Sequence, residues 1–167
     1  MSKTITFDIF DPASIQHAAQ EIREYSKWVQ RKTEELAKRL ADMGAVNVSL
    51  GFSRAIYTGD KDISVAVEQR SSNSYAIVAS GETVLIVEFG AGVTYGYGHP
   101  EPTVDGIAMG PTTYPGQKHA ADPNGWWIPK EKGGGHTYGN PPSMTMYTTA
   151  KELRNELERI AREVFSA

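Results

Sequence analysis

Residues 89–142 constrain this chain more than any other stretch: FGAGVTYGYGHPEPTVDGIAMGPTTYPGQKHAADPNGWWIPKEKGGGHTYGNPP. Twelve of the sixteen glycines and eight of the nine prolines lie here, with Trp126, Trp127, four of the eight tyrosines and three of the four histidines. No window inside it holds a helical or strand period for long. Loops beyond roughly 15 residues inside a compact domain are functional or disordered, and disordered segments are poor in aromatics. The stretch therefore reads as a loop insertion, about residues 91–142, that orders on contact with a partner. The patterned segments on either side decide what can carry it.

Ahead of it, residues 4–10 alternate Ile5, Phe7 and Ile9 with Thr4, Thr6 and Asp8, which predicts a short strand. Asp11-Pro12 then signals a helix start, because Asp accepts from free N–H groups and Pro loses nothing at the first helical position. Ile15, Ala18, Ala19, Ile22, Tyr25, Val29, Leu36, Ala37 and Leu40 form one apolar stripe, and Gly44 is the expected stop. Trp28 lies off that stripe beside Arg31 and Lys32. It reads either as a partly exposed amphipathic residue or as an anchor for a neighbouring subunit.

Four strand candidates follow, over residues 46–52, 63–68, 75–79 and 83–89. Turn signals separate the last three of them: Ser71-Ser72-Asn73, and Ser80-Gly81-Glu82 as a hairpin turn. After the loop, Ser143 is expected to open a final helix with Met146, Ala150, Leu153, Leu157, Ile160, Ala161 and Val164 on one face and an exposed Glu158–Arg162 pair. The expected fold is α+β: a four-stranded antiparallel sheet packed by a long N-terminal helix and a C-terminal helix, in one domain over residues 1–167.

Composition narrows the function classes. Charged residues make up 22% and the net charge is −3, so the chain lacks the basic face of a phosphate-neutralising nucleic-acid binder. With no cysteine there is no disulfide framework and no Cys-based zinc site. No apolar run reaches signal-peptide or membrane-span length, so a protein made and kept in the cytosol, or leaving it within an assembly or by lysis, is expected.

The stretches that invite an enzyme reading fail on spacing. His99, His119 and His136 with Asp105, Asp122 and Glu131 match no ligand pattern. No nucleophile frame such as G-x-S-x-G occurs. Gly90-Ala91-Gly92 follows an expected strand but leads to no helix, unlike a dinucleotide fingerprint. The glycines 133–135 lack the Lys-Ser/Thr of a phosphate loop. No catalytic residue, cofactor or metal is expected. Glu88 is the acid of interest: alternation puts it on a solvent face, or it accepts hydrogen bonds from loop N–H groups and pins the loop's root. Trp126, Trp127, Tyr95, Tyr97, Tyr114 and Tyr138 could stack on sugar rings, but Gly-Trp-Trp-Ile-Pro reads better as an anchor against protein.

The order of features resembles the neck and tail-component proteins of lambdoid long-tailed bacteriophages. The resemblance rests on Glu88-Phe89-Gly90 with Gly92, on the insert Gly125 to Pro129, and on Pro141, Pro142, Met144, Met146, Tyr147, Thr149 and Ala150 leading into the last helix. The Arg-Pro usual before that helix is replaced by Met144-Thr145. The resemblance implies a non-enzymatic structural virion protein of the head–tail junction, made in the host bacterial cytoplasm, with no membrane partner. Its partners would be copies of itself in a ring, other head–tail connector proteins, and tail-tube or tail-terminator proteins. Genome DNA would pass through the channel without sequence recognition. Trp126, Trp127, Ile128, Tyr138 and Trp28 are the candidate interface anchors; Glu88, Phe89, Gly90 and Gly92 are the candidate loop root. A carbohydrate- or cell-surface-binding module using the same aromatics is the alternative reading, with a small hydrolase bearing a histidine loop behind it.

Overall fold

The computed structural model describes residues 4–92, 95, 103, 104, 107, 108 and 122–166. Its elements are α1 (Pro12–Arg54), β1 (Ser64–Ser71), β2 (Ser74–Ser80), α2 (Val84–Phe89), β3 (Thr103–Val104), β4 (Ile107–Ala108), β5 (Trp126–Trp127), a 3-10 turn (Lys130–Lys132), β6 (His136–Thr137) and α3 (Thr145–Ser166). A long first helix, a last helix and antiparallel strands are present, but the expected four-stranded sheet is not. The described strands form three separate two-stranded antiparallel pairs, β1 with β2, β3 with β4 and β5 with β6.

α1 begins where expected: Asp11 caps it, its carboxylate accepting the Ala13 N–H at 2.9 Å, with Pro12 in the first turn. It does not stop at Gly44. It runs on for 43 residues, about 65 Å at helical rise, through the segment expected to be a strand. The alternation of Val46, Val48, Leu50 and Phe52 misleads because it contains an i,i+4 pair. Val48 and Phe52 are buried while Val46 and Leu50 are 59% and 46% exposed, so the buried face is Ala41, Gly44, Val48, Phe52 at helical spacing. Gly44 in a helix interior costs about 1 kcal/mol against alanine. It is explained by close approach: a Cβ there would lie 2.4 Å from Ile77 Cδ1 and 2.8 Å from Leu153 Cδ1, where β2 and α3 converge on α1. The helix ends without a glycine because the Lys61 ammonium donates to the carbonyls of Phe52, Ser53 and Ala55 at 2.7–3.0 Å, supplying donors and positive charge at the C-terminus.

The second and third strand candidates are a hairpin turning at Ser72-Asn73, in register from Ser64↔Ser80 to Gln69↔Tyr75. The fourth is instead the short helix α2. Asp62 sets its start, accepting the Glu82 and Thr83 N–H groups and the Thr83 hydroxyl at 2.5–3.0 Å. A short continuous apolar run such as Val84 to Val87 does not distinguish strand from buried helix. Residues 4–10 form no strand either: the Asp8 N–H donates to Ser14 Oγ and the Asp11 N–H to the Asp8 carbonyl, a turn into α1.

α3 lies antiparallel on α1. Thr145 meets Gly51, Leu153 meets Gly44, Arg39 pairs with Glu163 at 2.8 Å, and Phe165 sits edge-on to Trp28 at 5.7 Å. Ile160 and Val164 are 2% and 1% exposed, as the stripe predicts, whereas Leu157 is 44% exposed. The Glu158–Arg162 pair forms on the solvent side. The core proper joins five elements: Val48 and Phe52 of α1 and Val87 of α2, surrounded by Tyr57, Ile63, Val65 of β1, Ile77 and Ala79 of β2, Val84 and Met146 of α3.

Candidate functional site

The C-terminal part of the loop, residues 122–140, carries the β5–β6 hairpin, held against the body at its root. Trp126 pairs with Thr137 and Trp127 with His136. The Ile128 N–H donates to the Gly135 carbonyl at 2.7 Å, and the Gly134 N–H to the Pro129 carbonyl at 3.0 Å. Three consecutive glycines at positive φ, Gly133, Gly134 and Gly135, make this tight turn. Alternation across the pair then sorts the side chains. Trp127, His136 and Tyr138 form a row, with Trp127 and His136 edge-to-face at 5.1 Å and His136 and Tyr138 edge-to-face at 5.0 Å. Both ends of the row are open to solvent: Trp127 is 75% and Tyr138 53% exposed. Trp126 and Ile128 are half-buried and Thr137 is buried.

The root is a set of backbone contacts between the end of α2 and the start of α3. Ala91 and Asn140 exchange both backbone hydrogen bonds at 2.9 Å, and Asn140 Nδ2 donates to the Ile86 carbonyl at 3.0 Å. Gly90 and Gly92 have φ of 81° and 82°, and a Cβ on Gly92 would lie 2.3 Å from the Tyr138 carbonyl oxygen. Gly139, at φ 103°, is as tight against the Ala91 carbonyl, 1.9 Å from a would-be Cβ. Only glycine fits these positions.

Glu88 sits at the centre of this root and is 4% exposed. Its carboxylate accepts the Met146 N–H at 3.0 Å on each oxygen and the Tyr147 N–H at 3.1 Å. Its carbonyl accepts the Met144 N–H, and the Val87 carbonyl accepts the Ser143 N–H. Glu88 thus caps α3 from 58 residues away: a negative charge on the free N–H groups of a helix N-terminus, where the helix dipole favours it. Ser143 does not open the helix; it lies ahead of Met144, the one non-glycine residue at positive φ among those described, and α3 starts at Thr145. The half of the Glu88 reading that placed it on a solvent face is overturned, because residues 84–89 are helix and not strand.

The hairpin also leans on the body. Lys132 pairs with Glu82 at 2.9 Å, both exposed, and this carboxylate holds the Lys132 ammonium above its ordinary pKa. Beneath it, burial and then the Asp62 charge push the Tyr57 phenol up. Trp28 lies elsewhere, half-buried, stacked on Tyr25 at 5.6 Å and edge-on to Phe165; its ring is engaged within the chain.

Sequence reasoning weighed His136 as a metal ligand and missed its place in the aromatic row. Two-residue alternation with Tyr138 was the available signal. It missed Asn140 as well, whose long-range partners leave no local mark. Among the described residues no three His, Asp or Glu come together as a metal site; His99, His119 and Asp105, with Tyr97 and Tyr114, lie outside them. No described helix is long and apolar enough to cross a membrane. Comparison of the chain with protein-family models, curated proteins and solved structures finds no match.

Proposed function

We propose that this chain is a structural virion protein of the phage head–tail junction, of the neck or tail-completion kind, that forms or joins a symmetric ring through which genome DNA passes. One observation carries the reading: an exposed aromatic row, Trp127–His136–Tyr138, is held on a short hairpin whose root is fixed to the body. Aromatics on a pre-ordered support bring large contact area at low entropic cost, as interface anchors do. The residues shared with the neck and tail-component pattern support it further. Glu88, Gly90 and Gly92 on one side and Asn140 to Met146 on the other are the pieces that meet at the root. The mildly acidic charge of −3 suits a channel wall past which DNA slides. In a closed ring each contact joins two different patches, and an arm reaching to a neighbour meets that requirement.

Trp127→Ala combined with Tyr138→Ala should leave thermal unfolding within about 0.5 kcal/mol of the parent, since both side chains are exposed. It should weaken subunit contact by about 2 kcal/mol or more per interface. The measurement is incorporation of the chain into particles, followed by infectivity; normal infectious particles from the double variant would overturn the proposal. The same open row also favours a second reading, a carbohydrate- or cell-surface-binding module. Binding of the isolated chain on a glycan array, lost in the same variant, would decide for it. Portal, capsid and tail-tube genes beside this one would decide for the first.

A further inference from the structure

The alternating segment at residues 4–10 and the hairpin β1–β2 each lack what the other has. Ile5, Phe7 and Ile9 alternate with Thr4, Thr6 and Asp8, yet among the described residues the segment pairs with no strand; Phe7, Ile9 and Phe10 are 56%, 66% and 89% exposed. The sheet β1–β2 has two strands, and a two-stranded sheet alone is marginal in water. β2 is half-buried along residues 75–79 and lies on α1 through Ile77 and Gly44. β1 is the open side: Ser64, Ala66 and residues 68–71 are exposed, and among the described residues its backbone bonds only to β2. Unpaired edge groups of this kind are a template for another strand.

The segment cannot serve its own hairpin. The hairpin lies toward the C-terminal part of α1: Ile77 sits on Gly44, and Tyr75, near the tip, is within coulombic reach of Lys38. From Pro12 to Lys38 the helix covers about 39 Å. Seven residues fully extended span about 24 Å, and the Asp8 N–H is already tied to Ser14.

We propose that residues 4–8 of one copy, ahead of the turn into α1, add as a strand to the outer edge of β1 in a neighbouring copy of the same chain. The parity of the two sequences fits. In antiparallel order Ile5 and Phe7 would continue the apolar face of Val67 and Val65, and Thr4, Thr6 and Asp8 would lie beside Glu68, Ala66 and Ser64. Such a contact joins two different patches, so it propagates head to tail and closes a ring or extends a filament. It takes the subunit-contact reading further and is independent of the aromatic arm.

The absence of native cysteine allows a direct test. A full-length Thr6→Cys chain is mixed under mild oxidation with chains carrying Ser64→Cys, Ala66→Cys or Glu68→Cys, at roughly millimolar concentration, where even weak contacts are populated. Cross-strand neighbours stand at disulfide distance, so at least one pair should give a heterodimer, and the opposite-face Val67→Cys should not. Adding Phe7→Pro to the Thr6→Cys chain removes a ladder donor and should lower heterodimer formation by roughly tenfold or more, the effect of one or two lost backbone bonds. Repeating the mixture with Trp127→Ala in both chains separates the two contacts. A heterodimer that persists there but is lost on Phe7→Pro supports the strand contact. No heterodimer from any of the three pairs, or one indifferent to Phe7→Pro, overturns it.

Discussion

Glu88 shows how much one buried side chain can organise. Its carboxylate satisfies the first N–H groups of α3, and its own peptide carbonyl holds Met144 in an uncommon left-handed conformation. Replacing Glu88 with Ala leaves buried donors unsatisfied and should destabilise the chain by about 2–3 kcal/mol. Glu88→Gln keeps one acceptor and should cost about 1 kcal/mol. Urea denaturation followed by helix circular dichroism measures both; equal stability of the Ala variant would show that the cap is dispensable. Asp62 performs the same service for α2 and is exposed. Its hydrogen bond from the Thr83 hydroxyl, then that from the Glu82 N–H, lowers its pKa below the ordinary carboxylate value. A depressed pKa in the folded state means the folded state holds its proton less tightly than the unfolded state. The stability it contributes is therefore complete above the unfolded carboxylate pKa and is lost as pH falls through the lower, folded one. Asp62→Asn should flatten that part of the acid limb in a stability-against-pH series while leaving the slope near neutral pH unchanged.

Among the elements, α1 is the frame on which β1, β2 and α3 are laid, and its glycines mark where. Gly44 admits β2 and α3 to the helix surface, and Gly51 admits Thr145. Gly44→Leu should force these elements apart and cost about 2–3 kcal/mol, read as a drop in the urea midpoint. Val46→Ala, two residues on and 59% exposed, should stay within about 0.5 kcal/mol of the parent. If the two substitutions cost the same, the close approach at Gly44 is not what the position serves. The arm hairpin is built on the same economy of small residues. Gly125 has φ 73°, and its would-be Cβ lies 2.2 Å from the Thr137 carbonyl oxygen, so a short glycine-framed ladder can present Trp127 outward.

At the scale of the whole molecule, α3 spans 22 residues against 43 for α1. The contacts that join them run from Trp28 to Gly51. Ahead of that paired stretch, Ile22 of α1 and Phe7, Ile9 and Phe10 before the helix are 57%, 56%, 66% and 89% exposed. The aromatic row is tied instead to the region where α2 meets α3. Two separate outward-facing features on one chain are what a head-to-tail contact requires. The particle-incorporation and cysteine-mixing experiments address them one at a time.

By itself the sequence determined whatever depends on neighbours along the chain. The Asp11-Pro12 start of α1, the β1–β2 hairpin with its turn at Ser72-Asn73, and the buried Ile160 and Val164 of α3 follow from caps, turn residues and periodicity. The aromatic row was half-legible: the exposed Trp and Tyr could be named, their edge-to-face geometry around His136 could not. Tertiary structure alone decided the rest. Residues 46–52 are helical because Val48 and Phe52 reach one core together with Val87, a distinction that alternation over seven residues cannot make. Residues 84–89 are helical because Asp62 caps them from a distant segment. Glu88 is a helix cap because α3 returns to it after the whole loop. In each case the deciding partner lies far along the chain, and the local sequence carries no record of it.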